Sequence, residues 1–283
     1  MTTIKAKKSL GQNFLNDESV ASRIIDLVSP GRDDIVIEVG PGTGVLTRKL
    51  VDRSSYVLAV EVDPRLVHSL RSSLKRQNLS VITADALKLN WEAVLREAKE
   101  TLRSIYPDQP GVKRVRIVAN LPYYISSPII EMFLSLRHQL FDMTLMLQKE
   151  VAERITTGPG GKEYGYLSVL VQYYCVASLI FEVPSSAFTP EPKVRSAVIK
   201  LKMREQPAIQ VEDETRFFAL VRAAFSQRRK TILNNLRAGA ATLKISRALE
   251  SALDAAGVAP QRRAETLSLA EFAALDRELF CYT

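Results

Sequence analysis

One stretch of this chain concentrates more usable chemistry than any other: Val118-Ala119-Asn120-Leu121-Pro122-Tyr123-Tyr124. Asn120 carries one carbonyl acceptor and one amide donor on a short side chain. A flat aromatic beside a single amide suits a pocket that stacks a nucleobase and holds its exocyclic amine. The same residues also suit a plain turn, because Asn before Leu-Pro favours turns and tyrosines at strand ends commonly pack half-buried. A second set lies upstream, where Gly40-Pro41-Gly42-Thr43-Gly44 closes the β-branched run Ile35 to Val39 and lets the backbone approach a ligand closely. Its Gly-x-Gly-x-Gly spacing differs from the Gly-x-Gly-x-x-Gly of pyrophosphate binders, which weakens a nicotinamide reading. Glu61 follows about 20 residues later at the end of another apolar run, where a ribose diol would be bound. Asp85 ends a third run and is placed either to accept from an adenine amine or to cap a helix. Near the N-terminus, Lys5, Lys7 and Lys8 lead into Gln12-Asn13-Phe14-Leu15, which reads as a lid whose amides reach a ligand or as a loosely ordered basic arm. Phe188 sits between Pro184 and Pro190, on a rigid loop where an aromatic serves as a clamp or as a plug for the core. His68, His138, Cys175 and Cys281 are the only histidines and cysteines and are scattered, so no zinc set, disulfide framework or His-based triad is expected.

The elements that must position these residues follow from hydrophobic periodicity. Strands are expected at Ile35 to Val39, Tyr56 to Val60, Ser80 to Ala84, Val115 to Ala119, Phe141 to Leu147, Leu179 to Val183 and Val198 to Met203. Helices are expected from about Asp17 (with Val20, Ile24, Ile25 and Val28 on one face), after Gly44, over Pro64 to Gln77, Trp91 to Ile105, Ser126 to Leu136, Lys149 to Thr157 and Tyr166 to Val176. Loops are expected at Tyr106 to Gly111 and Gly158 to Gly165. Strands alternating with helices predict an α/β fold, a Rossmann-like, mostly parallel seven-stranded sheet whose last two strands form an antiparallel hairpin. From Arg204 onward the pattern is helical, over Thr215 to Phe225, Lys230 to Ala240, Ile245 to Ala256 and Leu269 to Phe280. The expected organisation is therefore an α/β domain at 1–203, with an N-terminal lid, and a small all-helical domain at 204–283. The chain has 283 residues, 46% of them hydrophobic and 25% charged, with a net charge of +8, which suits a globular protein with a polyanionic partner. It has no run of 18 apolar residues and no hydrophobic stretch after its basic first residues, so a cytoplasmic protein without a membrane span or secretory signal is expected.

In this order and spacing the motifs closely resemble those of the KsgA (RsmA) family of small-subunit rRNA adenine N6,N6-dimethyltransferases, relatives of the Erm resistance methyltransferases. The resemblance spans nearly the whole chain. It implies that S-adenosylmethionine is held by Gln12, Asn13, Leu15, Gly40, Gly42, Gly44, Glu61, Asp85, Ala86 and Asn120, and that the target adenine is handled by Asn120, Leu121, Pro122, Tyr123 and Phe188. It implies further that Glu61 takes the ribose hydroxyls, Asp85 the adenine amine and the Gly40–Gly44 backbone the amino-acid part. RNA contacts are expected from Lys149, Arg154, Lys162, Lys193, Arg228, Arg229 and Lys230. The cluster Gln227-Arg228-Arg229-Lys230 and the segment Arg263 to Ser268 look like KsgA rather than Erm; as plain sequence, the cluster equally suits the first turn of a solvated helix. The substrate so implied is a pair of adjacent adenines in the 3′-terminal hairpin of 16S rRNA, modified during small-subunit biogenesis within an immature 30S particle, by a monomer and without a metal. An Erm-type enzyme acting on the large subunit, or a non-catalytic ribosome assembly factor that keeps the fold, are the alternatives. The interval from Asp85 to Asn120 is longer than usual for the family, with the extra length around Trp91 to Gly111.

Overall fold

The computed structural model describes residues 4–107, 114–243, 245 and 248–280, with the backbone alone at Tyr123. In chain order the first elements are β1 (Phe14–Leu15), α1 (Glu18–Val28), β2 (Asp34–Val39), α2 (Val45–Leu50), β3 (Tyr56–Glu61), α3 (Pro64–Ser73), β4 (Leu79–Thr83), α4 (Trp91–Ile105) and β5 (Arg114–Asn120). They continue with α5 (Ser126–Ser135), β6 (Asp142–Gln148), α6 (Lys149–Thr156), α7 (Tyr166–Tyr174), β7 (Cys175–Val183), β8 (Phe188–Thr189) and β9 (Ser196–Met203). The helices α8 (Glu214–Ala224), α9 (Ile232–Leu243), α10 (Leu249–Ala255) and α11 (Leu269–Phe280) complete the described chain.

Seven strands form one sheet, the number expected from the sequence pattern, in the order β4-β3-β2-β5-β6-β9-β7. The pairs β4–β3, β3–β2, β2–β5 and β5–β6 are parallel, and β9 runs antiparallel to β6. Strands β2 and β3 are buried along their whole length, which is what unbroken β-branched runs covered on both faces require. Helix α1 packs on this sheet through Val20, Ala21, Ile24, Ile25 and Val28, and Asp17 caps it by accepting from the Ser19 and Val20 amides.

Several boundaries differ from expectation for local reasons. Helix α3 stops at Ser73 rather than Gln77, because the Asn78 side chain donates to the Val51 and Ser54 carbonyls and draws the chain into β4. The segment expected to be helical to Val176 turns to strand at Cys175, where Arg204 donates to the Tyr174 and Cys175 carbonyls. Two strands of two residues each, β1 and β8, were not expected and pair antiparallel, Phe14 opposite Thr189 and Leu15 opposite Phe188. Helix α9 begins at Ile232, so Arg228, Arg229 and Lys230 lie in the turn before it and not in its first turn. Of the remaining expectations, part of the Tyr106 to Gly111 loop, the Cys281 thiol and Ser246-Arg247 lie outside the described residues; α10 itself runs from Leu249.

Packing divides the chain into two compact units, Met1–Ala152 with Ser178–Met203, and Glu153–Ala177 with Arg204–Thr283. In the second unit Glu214 accepts from the Tyr173 and Tyr174 hydroxyls, and both rings pack against Phe218. That cluster joins α7 to α8.

In the first unit the amino ends of the strands hold a buried ion network. Arg116, in register with Asp142 on β6, donates from Nε to Asp34 at 2.7 Å and from Nη1 to Asp142, and Lys200 reaches Asp142 at 2.9 Å. Removing one partner of a buried pair strands the other charge. Arg116→Met should therefore lower unfolding free energy by about 3 kcal/mol in urea titrations, whereas an unchanged midpoint would show that Lys200 alone neutralises both carboxylates.

Candidate active site

Register brings the chemistry to one edge of the sheet. Val39 on β2 pairs with Val60 on β3 and with Ala119 on β5, so the residues that follow, Gly40, Glu61 and Asn120, emerge side by side. Glu61 in turn pairs with Thr83, which brings Ala84 and Asp85 to the same edge. Parallel strands deliver ligand-binding groups at their carboxyl ends in this way. Above them lies a cavity of about 300 Å³ within the first unit. Its lining includes Gln12, Asn13, Leu15, Gly40, Gly42, Glu61, Asp85, Ala86, Asn120, Leu121, Pro122 and Phe188, so residues far apart in sequence meet there.

Each of these side chains has a defined setting. Gly42 adopts φ 57°, and a Cβ there would come within 3.1 Å of the Phe14 ring, so only glycine lets the arm bearing Phe14 close on this turn. Gly44 does not line the cavity; with φ 82° and Leu70 2.5 Å from where its Cβ would be, it makes room for α3. Glu61 is 5% exposed and accepts from the Asp63 amide at 2.9 Å and the Gly42 amide at 3.3 Å. These bonds fix its carboxylate, whose remaining lone pairs can still accept. Burial nonetheless raises its pKa above the ordinary range. Asp85 caps the short 3-10 turn Ala86–Lys88 by accepting from the Leu87 amide at 3.0 Å, as the capping reading expects, and it also lines the cavity. Phe188 is buried in the core that includes Leu15 and Val183 and faces the cavity as well.

Asn120 donates its amide N–H to the Asn13 carbonyl at 3.2 Å, and its Oδ1 accepts no hydrogen bond among the described residues. The amide is thus turned so that an acceptor remains for a ligand. Gln12 differs from the lid reading: its Oε1 accepts from the Lys7 amide at 2.8 Å and its Nε2 donates to Asp63 at 3.3 Å, so both ends of the amide tie the arm down.

Among the lining residues not singled out from sequence, Glu38, Val62 and Leu87 bear most on the chemistry. Glu38, inside the buried run of β2, is 1% exposed, and its Oε2 and the nearby Thr47 Oγ1 have no hydrogen-bond partner among the described residues. Burial, reinforced by the charge of Glu61, pushes the Glu38 carboxyl up to about 7. The readable signal was a carboxylate interrupting an otherwise apolar strand. Val62 and Leu87, 45% and 38% exposed, follow Glu61 and precede Lys88 at the rim and present apolar surface to the cavity. Tyr124 lines it too, with its ring against Gly11, while the Tyr123 side chain lies outside the described residues.

The expected RNA-contacting residues have varied surroundings. Lys149 pairs with Glu182 at 2.7 Å, and Arg154 is half-buried with its carbonyl accepting from Ser168. Lys162, Lys193, Arg228, Arg229 and Lys230 are exposed and make no ion pair among the described residues. No cluster of metal-ligating side chains occurs among the described residues, and no described helix is long and apolar enough to cross a membrane.

Residues 3–276 match the family model described as ribosomal RNA adenine dimethylase. A relative named Ribosomal RNA small subunit methyltransferase A, from Anoxybacillus flavithermus, is 46% identical over 276 residues, 97% of this chain and 90% of its own length. Among solved structures, a dimethyladenosine transferase from Plasmodium falciparum superposes with a TM-score of 0.72 at 27% identity, covering 92% of this chain and 95% of that one. The 23S rRNA methyltransferase ErmE superposes with a TM-score of 0.68 at 28% identity, over 94% of this chain and 99% of that one.

The setting of Glu38 has a measurable consequence. Its folded-state pKa lies above the unfolded value, so the native state holds the proton more tightly, and stability falls as pH rises from about 4.5 toward 7 and then levels. Glu38→Gln removes that slope. Urea unfolding without cofactor should find the variant equal to wild type near pH 4.5 and more stable by about 3 kcal/mol at pH 8; a difference that does not change with pH would mean that Glu38 ionises normally.

Proposed function

The chain belongs to the ribosomal RNA adenine dimethylase family, and from that membership we propose how its cavity transfers methyl groups to adenine N6. It is an S-adenosylmethionine-dependent rRNA adenine dimethyltransferase with a Rossmann-like sheet and a helical C-terminal region. Its substrate on our reading is a pair of adjacent adenines in the 3′-terminal hairpin of small-subunit rRNA, presented by an immature 30S particle to a cytoplasmic monomer. The higher identity to the small-subunit relative than to ErmE, 46% against 28%, favours the small subunit.

The cavity's own chemistry supports the cofactor assignment. Glu38 places in the lining a buried carboxylate whose Oε2 has no partner among the described residues, which suits a cationic amine. Glu61 offers a fixed acceptor for a diol, Asp85 an acceptor for an exocyclic amine, and the apolar Val62 and Leu87 in the same lining suit a flat ring. Gly40 and Gly42 keep the backbone bare, and Gln12, Asn13, Leu15 and Ala86 close the remaining walls; Gly44 acts through the fold of the turn. Bound S-adenosylmethionine supplies an electrophilic methyl group on a sulfonium sulfur.

The protein's task is then to make adenine N6 nucleophilic, because its lone pair is delocalised into the ring. Asn120 Oδ1 and the Leu121 carbonyl accept the two N6 hydrogens and favour a pyramidal nitrogen, a use of preorganised dipoles at developing charge. The extruded base stacks on Tyr123 and against Phe188, with Pro122 holding the segment rigid. With the cofactor bound, N6 becomes cationic as the N–C bond forms and the methyl–sulfur bond breaks to leave a neutral thioether, and it loses its proton to water, so no strong base is needed. Lys162, Lys193, Arg228, Arg229 and Lys230 contribute phosphate contacts, Lys149 joins them by exchanging its Glu182 partner, and Arg154 adds a further one.

The observation that carries this reading is the acceptor orientation of Asn120 at the cavity. Asn120→Ala should retain cofactor and RNA affinity but lose roughly a hundredfold in single-turnover methylation of a small-subunit particle, since the contact strengthens as charge develops. A wild-type rate would reduce the segment to a turn.

A further inference from the structure

The N-terminal arm makes contacts beyond the wall of a cavity. Phe14 lies on the Gly42 turn, and Asn16 donates from its backbone to the Ala187 carbonyl at 2.9 Å and from its side chain to Thr189 at 2.6 Å. Those bonds and the β1–β8 pairing zip the arm to the loop that carries Phe188. Between them sits Asn13, whose carbonyl is the acceptor that orients the Asn120 amide. An asparagine amide that loses this partner can rotate by half a turn and present N–H where an acceptor is required.

On the other side of Asn13 the arm is held by a buried carboxylate outside the cavity. Asp63, whose side chain is fully buried, caps α3 through the Arg65 amide at 3.1 Å and accepts from the Arg65 guanidinium at 2.6 Å. It also takes Gln12 Nε2 at 3.3 Å and Lys7 Nζ at 3.4 Å, while Arg65 reaches the Lys5 carbonyl at 3.3 Å. The Arg65 guanidinium above all, and Gln12 and Lys7 after it, hold the Asp63 carboxyl well below the usual carboxylate range, so it is charged at any working pH. Asp63 does not line the cavity.

We propose that Asp63 is a positioning residue for methyl transfer: by latching the N-terminal arm through Gln12 and Lys7 it seats the Asn13 carbonyl, and the Asn13 carbonyl sets Asn120 with its oxygen toward the target amine. The inference rests on the reading of Asn120 as the N6 acceptor. It makes arm closure and assembly of the catalytic amide a single event. A protein whose arm is unlatched can bind both substrates and still present the wrong end of the amide.

Asp63→Asn tests this with little change in shape. The substituted amide keeps an acceptor for the Arg65 backbone N–H but turns a donor toward Gln12 and Arg65. Single-turnover methylation of a small-subunit particle is measured for wild type, Asp63→Asn, Asn120→Ala and the double variant, with S-adenosylmethionine and particle both saturating, and thermal melting confirms that each is folded. Asp63→Asn should lower the saturated rate about tenfold or more, as small misplacements of a reacting group do. In the Asn120→Ala background the same substitution should change the rate by less than about twofold, because the amide it acts through is gone. Gln12→Ala, which breaks the latch from the other side, should behave as Asp63→Asn does in both backgrounds. Equal losses in both backgrounds, or a wild-type rate for Asp63→Asn at saturation, would overturn the latch while leaving Asn120 in place. A wild-type rate for Asn120→Ala overturns the underlying reading instead, so the two failures are distinguishable.

Discussion

Parallel pairing in a single register is the constraint on which the rest of this structure depends. Because Val39, Val60 and Ala119 lie in one row, Gly40, Glu61 and Asn120 stand side by side at the carboxyl edge of the sheet, and a slip of one residue in any pair would turn every following side chain to the opposite face. The slip is prevented from below as well as within. Arg116 on β5 faces Asp142 on β6 and binds Asp34 on β2, so three strands are pinned at their amino ends while their carboxyl ends carry the chemistry. Precision at the cavity is thereby inherited from buried contacts on the far side of the sheet.

Two buried carboxylates near the cavity follow opposite electrostatic logic. Asp63 is surrounded by donors and remains ionised, which suits a residue that holds other groups in place. Glu38 is equally buried but lacks a partner on Oε2, and its pKa rises to about 7. An unsatisfied buried acceptor destabilises the protein alone and gains when a cation arrives, so part of the folding free energy is held back for ligand binding. Glu61 lies between these cases, oriented by two backbone amides yet still raised by burial.

The sheet and the cavity's main residues were legible because their signals are local. Tyr56 to Val60 is an unbroken apolar run ended by a carboxylate, and Ile35 to Val39 is apolar but for Glu38 and ends at glycine; such runs read as buried parallel strands with functional ends. From Tyr166 to Val183 no glycine or proline intervenes, so nothing in the sequence marked where α7 gives way to β7 at Cys175. Strands β1 and β8 are too short for any periodicity and exist only because each pairs with the other across more than 170 residues of chain, as the Asn16–Thr189 bond at a separation of 173 illustrates. The same holds for the latch: Asp63 before Pro64 reads as a helix cap, but its bonds to Gln12 and Lys7 join segments 51 and 56 residues apart. Contacts of that kind come from tertiary structure, and residue types alone do not announce them.

The central claim is that this cavity turns adenine N6 into a nucleophile on small-subunit rRNA. It is tested most directly by mass spectrometry of rRNA from cells that lack the endogenous small-subunit dimethyltransferase and express this chain, either as wild type or as Asn120→Ala. The account predicts N6,N6-dimethyladenosine at two adjacent positions of the 3′-terminal hairpin of small-subunit rRNA with the wild-type chain, and its near absence with the variant. Dimethyladenosine confined to large-subunit rRNA, or equal amounts with both chains, would contradict it.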